Sequence, residues 1–267
     1  MKKNFKNIIL LILSVLILAL CVLLVIQAIR AKTEEIKNPI VTLEVENYGN
    51  IKIELYPEYA PNTVKNIIKL AENGYYDGKV FYGKDDISVY VGRNSEGNID
   101  YPKLSTIEPG VASEDDYEYE INGEFVANNF EANTLKHEKG VVSLVRADYT
   151  QITSQLLNES YNSGCSQFTI LTKGERSLNG MYAAFGRVIE GMEIVEKIYE
   201  LEGNSKIESE DSTEGSAGIK AFIQYPLITK VTVDTFGVNY GFPEVHESFD
   251  YNAYMQDLLT QYYKTNE

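Results

Sequence analysis

A mainly β fold of closed or nearly closed architecture, with only two helices in its body, is what this sequence predicts, and three observations predict it. Short runs rich in β-branched and aromatic residues recur throughout, separated by Gly, Asn, Asp and Ser. Helical periodicity is confined to two segments of the body and a tail, so strands do not alternate with helices as in βαβ folds. The 267 residues, 44% hydrophobic and 24% charged, suffice for one sizeable core with appendages.

Taken in order, residues Ile8 to Ile29 carry no charged side chain and, as a helix rising 1.5 Å per residue, would extend about 33 Å. This predicts an uncleaved transmembrane helix, because a signal peptide has a shorter apolar region and a small-residue cleavage site. Bulky Leu20 before Cys21, and an apolar run that continues past it, argue against a lipidated cysteine. Lys2, Lys3 and Lys6 precede the segment and Arg30 follows it, a bias that keeps the N-terminus cytoplasmic and the bulk of the chain outside. The expected location is therefore the cell membrane, single-pass, with the main domain extracytoplasmic.

The polar stretch RAKTEEIKNP is a tether ending at Pro39. VTLEVENYGNIKIELY alternates apolar and polar residues on both sides of NYGN, which predicts a hairpin. In PNTVKNIIKLAENG, Val64, Ile67, Ile68 and Ala71 share one helical face and Gly74 supplies a stop. Further strands are expected in KVFY, ISVYVG, GVVSLV, SQFTIL, YAAFGRVI and LITKVTVDTF, and a second helix in GMEIVEKIYEL through Ile194, Val195, Ile198 and Leu201. Glu202 to Gly218 is polar and reads as a mobile loop. The tail places Tyr251, Tyr254, Met255, Leu258, Leu259 and Tyr262 at helical spacing, a stripe suited to packing on its own domain or on a partner. The organisation is thus a basic N-terminus (1–7), a transmembrane helix (8–29), a tether (30–39), a β domain (40–237) and a helical tail (238–267).

Charge and cysteine content exclude several functions. The chain carries −15, and its first thirty residues hold four cations and no acid, so the remainder carries −19. Nucleic-acid binding, which needs clustered cations to displace counterions from phosphate, is excluded as a leading function. With Cys21 in the apolar segment and Cys165 alone beyond it, the soluble part has no internal disulfide. His137 and His246 lie far apart without ligand spacing, so no metal site is expected, and His137 in LKHEKG reads as a packed or capping residue.

Five segments, taken together, resemble the cyclophilin family of peptidyl-prolyl cis-trans isomerases: GNIKIELYPEYAPNTVKNIIKLAENGYYDGKVF, INGEFVANNF, LKHEKGVVSLVRA, GCSQFTI and LNGMYAAFGRVIEGMEIVEKI. The similarity spans roughly Ile40 to Phe236 in the family's order. It implies an antiparallel closed barrel of eight strands capped by two helices, with a substrate groove on the outer face and no cofactor. The implied reaction is rotation about an X-Pro bond, against a barrier of about 18–20 kcal/mol set by amide resonance. No covalent intermediate is needed; the site must hold the prolyl ring, grip the flanking backbone and stabilise the twisted amide.

Family members typically read F-H-R and, five to eight residues on, F-M-x-Q-G-G-D, the arginine donating toward the prolyl nitrogen. Aligned without gaps from Phe81 to Gly92, the arginine falls on Gly83, the histidine on Tyr82, the pocket phenylalanine on Ser88, the methionine on Val89 and the glutamine on Val91. The resemblance therefore supplies no catalytic arginine. A slip of one residue would put Lys84 there, but an ammonium lacks the planar donor fork of guanidinium. The substrate-binding positions it implies are Val89, Ala147, Gln167, Phe168, Leu178 and Tyr182, with Thr169 replacing a second phenylalanine. Insertions following Gly92 and preceding Cys165 are expected to border the groove.

Two functions are compatible with these residues. One is a membrane-anchored isomerase of weak or lost activity, assisting the folding of proline-containing exported polypeptides. The other is a non-catalytic module that uses the same barrel to hold a peptide or a membrane protein partner.

Overall fold

The computed structural model describes residues 12–25, 37–206 and 218–265. The chain divides into two units, Met1–Lys37 and Asn38–Glu267. In the first, residues 12–25 form a helix, α1, with exposed apolar side chains. At 1.5 Å per residue the described part of this helix extends about 21 Å, against the roughly 30 Å of a bilayer's hydrocarbon. No helix among the described residues is long and apolar enough to cross a membrane, which corrects the expected spanning helix over 8–29. Positions 8–11 and 26–29, like Lys2, Lys3, Lys6 and Arg30, lie outside the described residues.

In the second unit, β1 (Ile40–Val45) and β2 (Gly49–Leu55) form the expected hairpin. Its turn is made possible by Asn47 and Gly49 at φ 63° and 115°, the left-handed region that Asn and Gly tolerate. Helix α2 (Pro61–Glu72) buries Val64, Ile67, Ile68, Leu70 and Ala71. Ala60 at its N-cap has no side chain able to accept, and the open amides are satisfied from a distance. The buried carboxylate of Glu124 accepts from Asn62 N at 2.8 Å, and from Thr63 N and Thr63 Oγ1, each at 2.7 Å.

The remaining strands of the main sheet are β3 (Val80–Lys84), β4 (Ser88–Arg93), β6 (Val141–Leu144), β7 (Phe168–Leu171), β8 (Ala184–Glu190), β9 (Gly203–Lys206), β10 (Lys220–Phe222) and β11 (Ile228–Asp234). The short strands β5 (Tyr119–Glu120) and β12 (His246–Glu247) pair separately. Short helices α3 (Leu104–Ile107) and α4 (Leu157–Tyr161) lie in the two insertions, and helix α5 (Met192–Tyr199) buries Ile194, Val195 and Ile198, as its periodicity predicted. All ladders are antiparallel, and the main sheet runs β11-β1-β2-β8-β6-β7-β4-β3-β10-β9.

That order corrects the expected closed eight-stranded barrel: among the described residues the sheet has ten strands and is not closed. Closure would pair β3 with β11, but the free edge of β3 is divided. Its C-terminal end, Gly83 and Lys84, pairs with β10, and near its N-terminal end one isolated bridge, Val80–Leu227, forms beside the start of β11 without a continuous ladder. Three backbone bonds flank the bridge: Gly78 N to Ile228 O and Ile228 N to Lys79 O, both 2.8 Å, and Phe81 N to Pro226 O, 3.0 Å. Strands β9 and β10 were not foreseen because GNSK and KAF have no apolar alternation; backbone pairing, not side-chain pattern, forms them. Part of the expected mobile loop is thus strand β9, and residues 207–217 lie outside the described residues.

The tail contains β12 and α6 (Tyr251–Thr265). Phe249 packs on Tyr149 at 4.9 Å between ring centres and on Tyr254 at 5.6 Å, tying the start of α6 to the insertion before Cys165. Leu258, Leu259 and Tyr263 are exposed.

Two outcomes follow from these buried polar groups. Glu124→Ala is expected to lower stability by about 2–3 kcal/mol in urea unfolding, since it strips charge-assisted bonds from a buried helix start. His137 is buried, with Nε2 3.1 Å from Ser143 Oγ and Nδ1 3.3 Å from Asn179 Oδ1. Burial lowers its pKa below the ordinary 6.5, partly offset by the bond to Asn179. The unfolded chain then binds the proton more readily, so stability is full above about pH 6.5 and falls as the pH drops below it. Thermal melts between pH 7.5 and 5 should show this fall, and His137→Gln should flatten it.

Candidate active site

Strands β4, β7 and β6 lie side by side, and their register decides which side chains reach the outer face. Val89 pairs with Ile170 and Val91 with Phe168, and Ile170 and Phe168 pair in turn with Val142 and Leu144. These side chains enter the core: Val89 and Val91 are fully buried and Phe168 is 3% exposed. The residues between them, Tyr90, Thr169 and Ser143, form a row on the opposite face. That row floors a cavity of about 340 Å³, whose walls include Ser88, Asp85, Leu178, Tyr182, Arg146, Asp148 and Gln151.

A second, narrow cavity of about 20 Å³ is lined by Tyr101, Val145, Arg146, Ala147, Ser163, Cys165, Ser166 and Gln167. Leu178 and Tyr182 therefore line the larger cavity, Ala147 and Gln167 the smaller, and Val89 and Phe168 neither. Residue Val145 and Arg146 belong to both linings. The insertions contribute as well: Tyr101 comes from the one after Gly92, and Asp148, Gln151 and Ser163 from the one before Cys165.

Asp85 organises the β3–β4 turn. Its Oδ1 accepts from Ile87 N (2.8 Å), Ser88 N (2.7 Å) and Ser88 Oγ (2.9 Å), and its Oδ2 accepts from Tyr90 O–H at 2.9 Å. Burial, then the Asp85 charge and hydrogen bond, push the Tyr90 phenol far above its ordinary pKa, so it remains a neutral donor. At Asp148 burial raises the pKa, but bonds from Thr150 and Gln151 and the nearby Arg146 cation outweigh it and leave the carboxyl below its usual value. Burial, then the Glu120 carboxylate, push the Cys165 thiol well up, which removes it as a nucleophile.

Gly83 is a point of close backbone approach. A Cβ there would stand 2.7 Å from Lys220 O and 2.8 Å from Ile219 Cγ2. On the same strand Tyr82 is buried in a cluster with Val80 and Ile219, and the Arg93 guanidinium lies 4.3 Å from its ring centre. Arg93 also donates from Nε to Gln167 Oε1 at 3.4 Å and from Nη1 to Gly97 O at 3.3 Å. Lys84 is held away from both cavities, with Nζ donating to Tyr199 O at 2.6 Å.

Sequence reasoning did not single out Tyr90, Ser143, Asp148 or Gln151 as cavity residues. The period-two alternation of SVYVG and SQFTIL held the signal for the floor, since it sets Tyr90 and Thr169 opposite the Val and Phe positions. The alignment carries the family's pocket positions across by residue count and so lands on Val89 and Phe168, whose side chains take the inward face of β4 and β7.

An open antiparallel sheet with two packed helices and a polar-floored groove defines a protein of cyclophilin-like fold, and solved structures agree. A cyclophilin-type peptidyl-prolyl cis-trans isomerase of Cryptosporidium parvum, solved in the presence of the dipeptide Ala-Pro, superposes with a TM-score of 0.51 at 21% identity, covering 73% of this chain and 98% of that one. The family model described as cyclophilin type peptidyl-prolyl cis-trans isomerase/CLD matches residues 40–217. This chain belongs to the cyclophilin-type peptidyl-prolyl isomerase family. Among its relatives, peptidyl-prolyl cis-trans isomerase B of Bacillus subtilis is 32% identical over 171 residues, 64% of this chain and 95% of the relative. Peptidyl-prolyl cis-trans isomerase cypE of Dictyostelium discoideum is 29% identical over 166 residues, 62% and 87% of the two chains.

Gly83→Ala is expected to destabilise the fold by about 1–3 kcal/mol, because the added methyl meets the β10 backbone rather than a yielding side chain. The midpoint of chemical unfolding measures this. Gly83→Arg should perturb β10 at least as much, so hydrogen exchange at Ala221 and Phe222 should accelerate.

Proposed function

We propose that this chain is a slow peptidyl-prolyl cis-trans isomerase that assists proline-containing exported polypeptides. The observation that carries this reading is the larger cavity on the outer face, where Leu178 and Tyr182 stand beside the floor formed by Tyr90, Thr169 and Ser143. A prolyl ring fits against Leu178 and Tyr182, while Gln167 in the adjoining cavity is placed to grip the flanking backbone. No acid, base or nucleophile is required; donors set around the twisted amide lower its energy relative to both planar forms.

The low rate follows from Gly83. Where the family carries its arginine, this chain has no side chain, and removing one preorganised donor typically costs about 10²–10³ in rate. The exposed apolar surface of α1, including Leu16, Leu18 and Leu20, favours association with the cell membrane.

A second reading, a non-catalytic module that binds an extended peptide or a membrane protein, is favoured by the tight packing of Gly83 on β10. A proline-isomerisation assay separates the two, with the full chain and the Bacillus subtilis relative run side by side. The expected kcat/KM is about 10²–10³ lower than the relative's. A matching rate overturns the slow-enzyme reading, and peptide binding without turnover establishes the binding module. Fractionation with protease accessibility tests the location: recovery in the soluble cytoplasmic fraction overturns it.

A further inference from the structure

Arg146 stands where the two cavities meet and is, among the described residues, the only cation lining either. Three rings hold its guanidinium: Tyr182 at 4.6 Å, Tyr161 at 5.0 Å and Phe125 at 5.7 Å from their centres. Cation–π contacts of this kind stabilise a cation in place, more so as water is removed, without consuming its in-plane donors. Of those donors, Nη1 reaches Ala147 O at 3.3 Å, while Nε is buried and has no hydrogen-bond partner. A buried donor without an acceptor is costly in the free protein, and a ligand that supplies an acceptor recovers that cost. Asp148, on the same cavity wall, is near enough for the Arg146 charge to lower its pKa, yet its oxygens accept from Thr150 and Gln151.

We infer that Arg146 is the catalytic residue of this chain: its guanidinium donates to the bound X-Pro amide, the service that Gly83 cannot perform. Arginine suits this because its planar fork offers several donors in fixed directions and keeps its charge at any physiological pH. With Leu178 and Tyr182 on one side and Gln167 on the other, a proline in the larger cavity has its amide at the junction that Arg146 occupies. As the amide twists, its nitrogen regains a lone pair and its carbonyl loses conjugation. A donor fixed at that point favours the twisted form over either planar one.

The inference rests on the isomerase reading above, and the test distinguishes the failure of each. Turnover and peptide affinity are measured on the full-length wild type, on Arg146→Met and Arg146→Lys, and on Lys139→Gln as a control for loss of a remote surface charge. Arg146→Met keeps an unbranched stem against the three rings and removes every donor. It should lower kcat about 10²-fold with KM nearly unchanged, the pattern of an interaction made in the transition state alone. Arg146→Lys, which keeps the charge and loses the fork, should fall between, and Lys139→Gln should match the wild type. If Arg146→Met does not unfold cooperatively, Arg146→Lys decides, and a kcat equal to that of the wild type overturns the assignment. A rise in KM at constant kcat also overturns it, since that marks a residue for binding. A wild type that turns over while its Arg146 variants match it overturns the role of Arg146 alone. A wild type that binds the peptide and never turns it over overturns the isomerase reading and this assignment with it.

Discussion

The pairing of β3 with β10 at Gly83 is the contact on which the rest of the outer face depends. Two backbones approach so closely there that a single methyl group would meet a carbonyl oxygen at 2.7 Å. The approach divides the edge of β3, holds the sheet open, and brings Ile219 over Val80 and Tyr82. The same contact that adds strands to the sheet therefore removes the room in which an arginine would have projected from position 83. Glycine at this site is a packing requirement of the ten-stranded arrangement.

The groove beside it has a different chemical character from an apolar prolyl pocket. Its floor is a cross-strand row of hydroxyls, Tyr90, Thr169 and Ser143, and its rim carries Asp85 and Asp148 around one guanidinium. Apolar contact is left to Leu178 and Tyr182. Such a lining suits directed hydrogen bonds more than burial, and among the described residues Arg146 is the one cation that borders both cavities. The aromatic residues that hold this arginine come from separate parts of the chain, Phe125, Tyr161 and Tyr182, so its position is fixed by the assembled domain.

Much of the fold was legible because hydrophobic period reports burial directly. The β1–β2 hairpin, the six further strands and the faces of α2 and α5 all followed from alternation or 3.6-residue spacing. The polar strands β9 and β10 carry no such signal, and no local feature marks Glu124 as the cap of a helix that begins sixty-odd residues earlier. In the site, Leu178, Tyr182, Ala147 and Gln167 could be placed by resemblance and the structure sets them along the two cavities. Val89 and Phe168 instead take the inward face of β4 and β7, which they share with Val91 and Ile170 in an unbroken alternation.

By itself the sequence determined the class of fold, the absence of a guanidinium at position 83 and the overall acidity, since each depends on composition, order or local periodicity. Tertiary structure alone decided that the sheet stays open, which residues wall the groove, and that Arg146 is gathered into it. These depend on strand register and on contacts between residues distant in the chain, and neither is encoded in any short stretch of it.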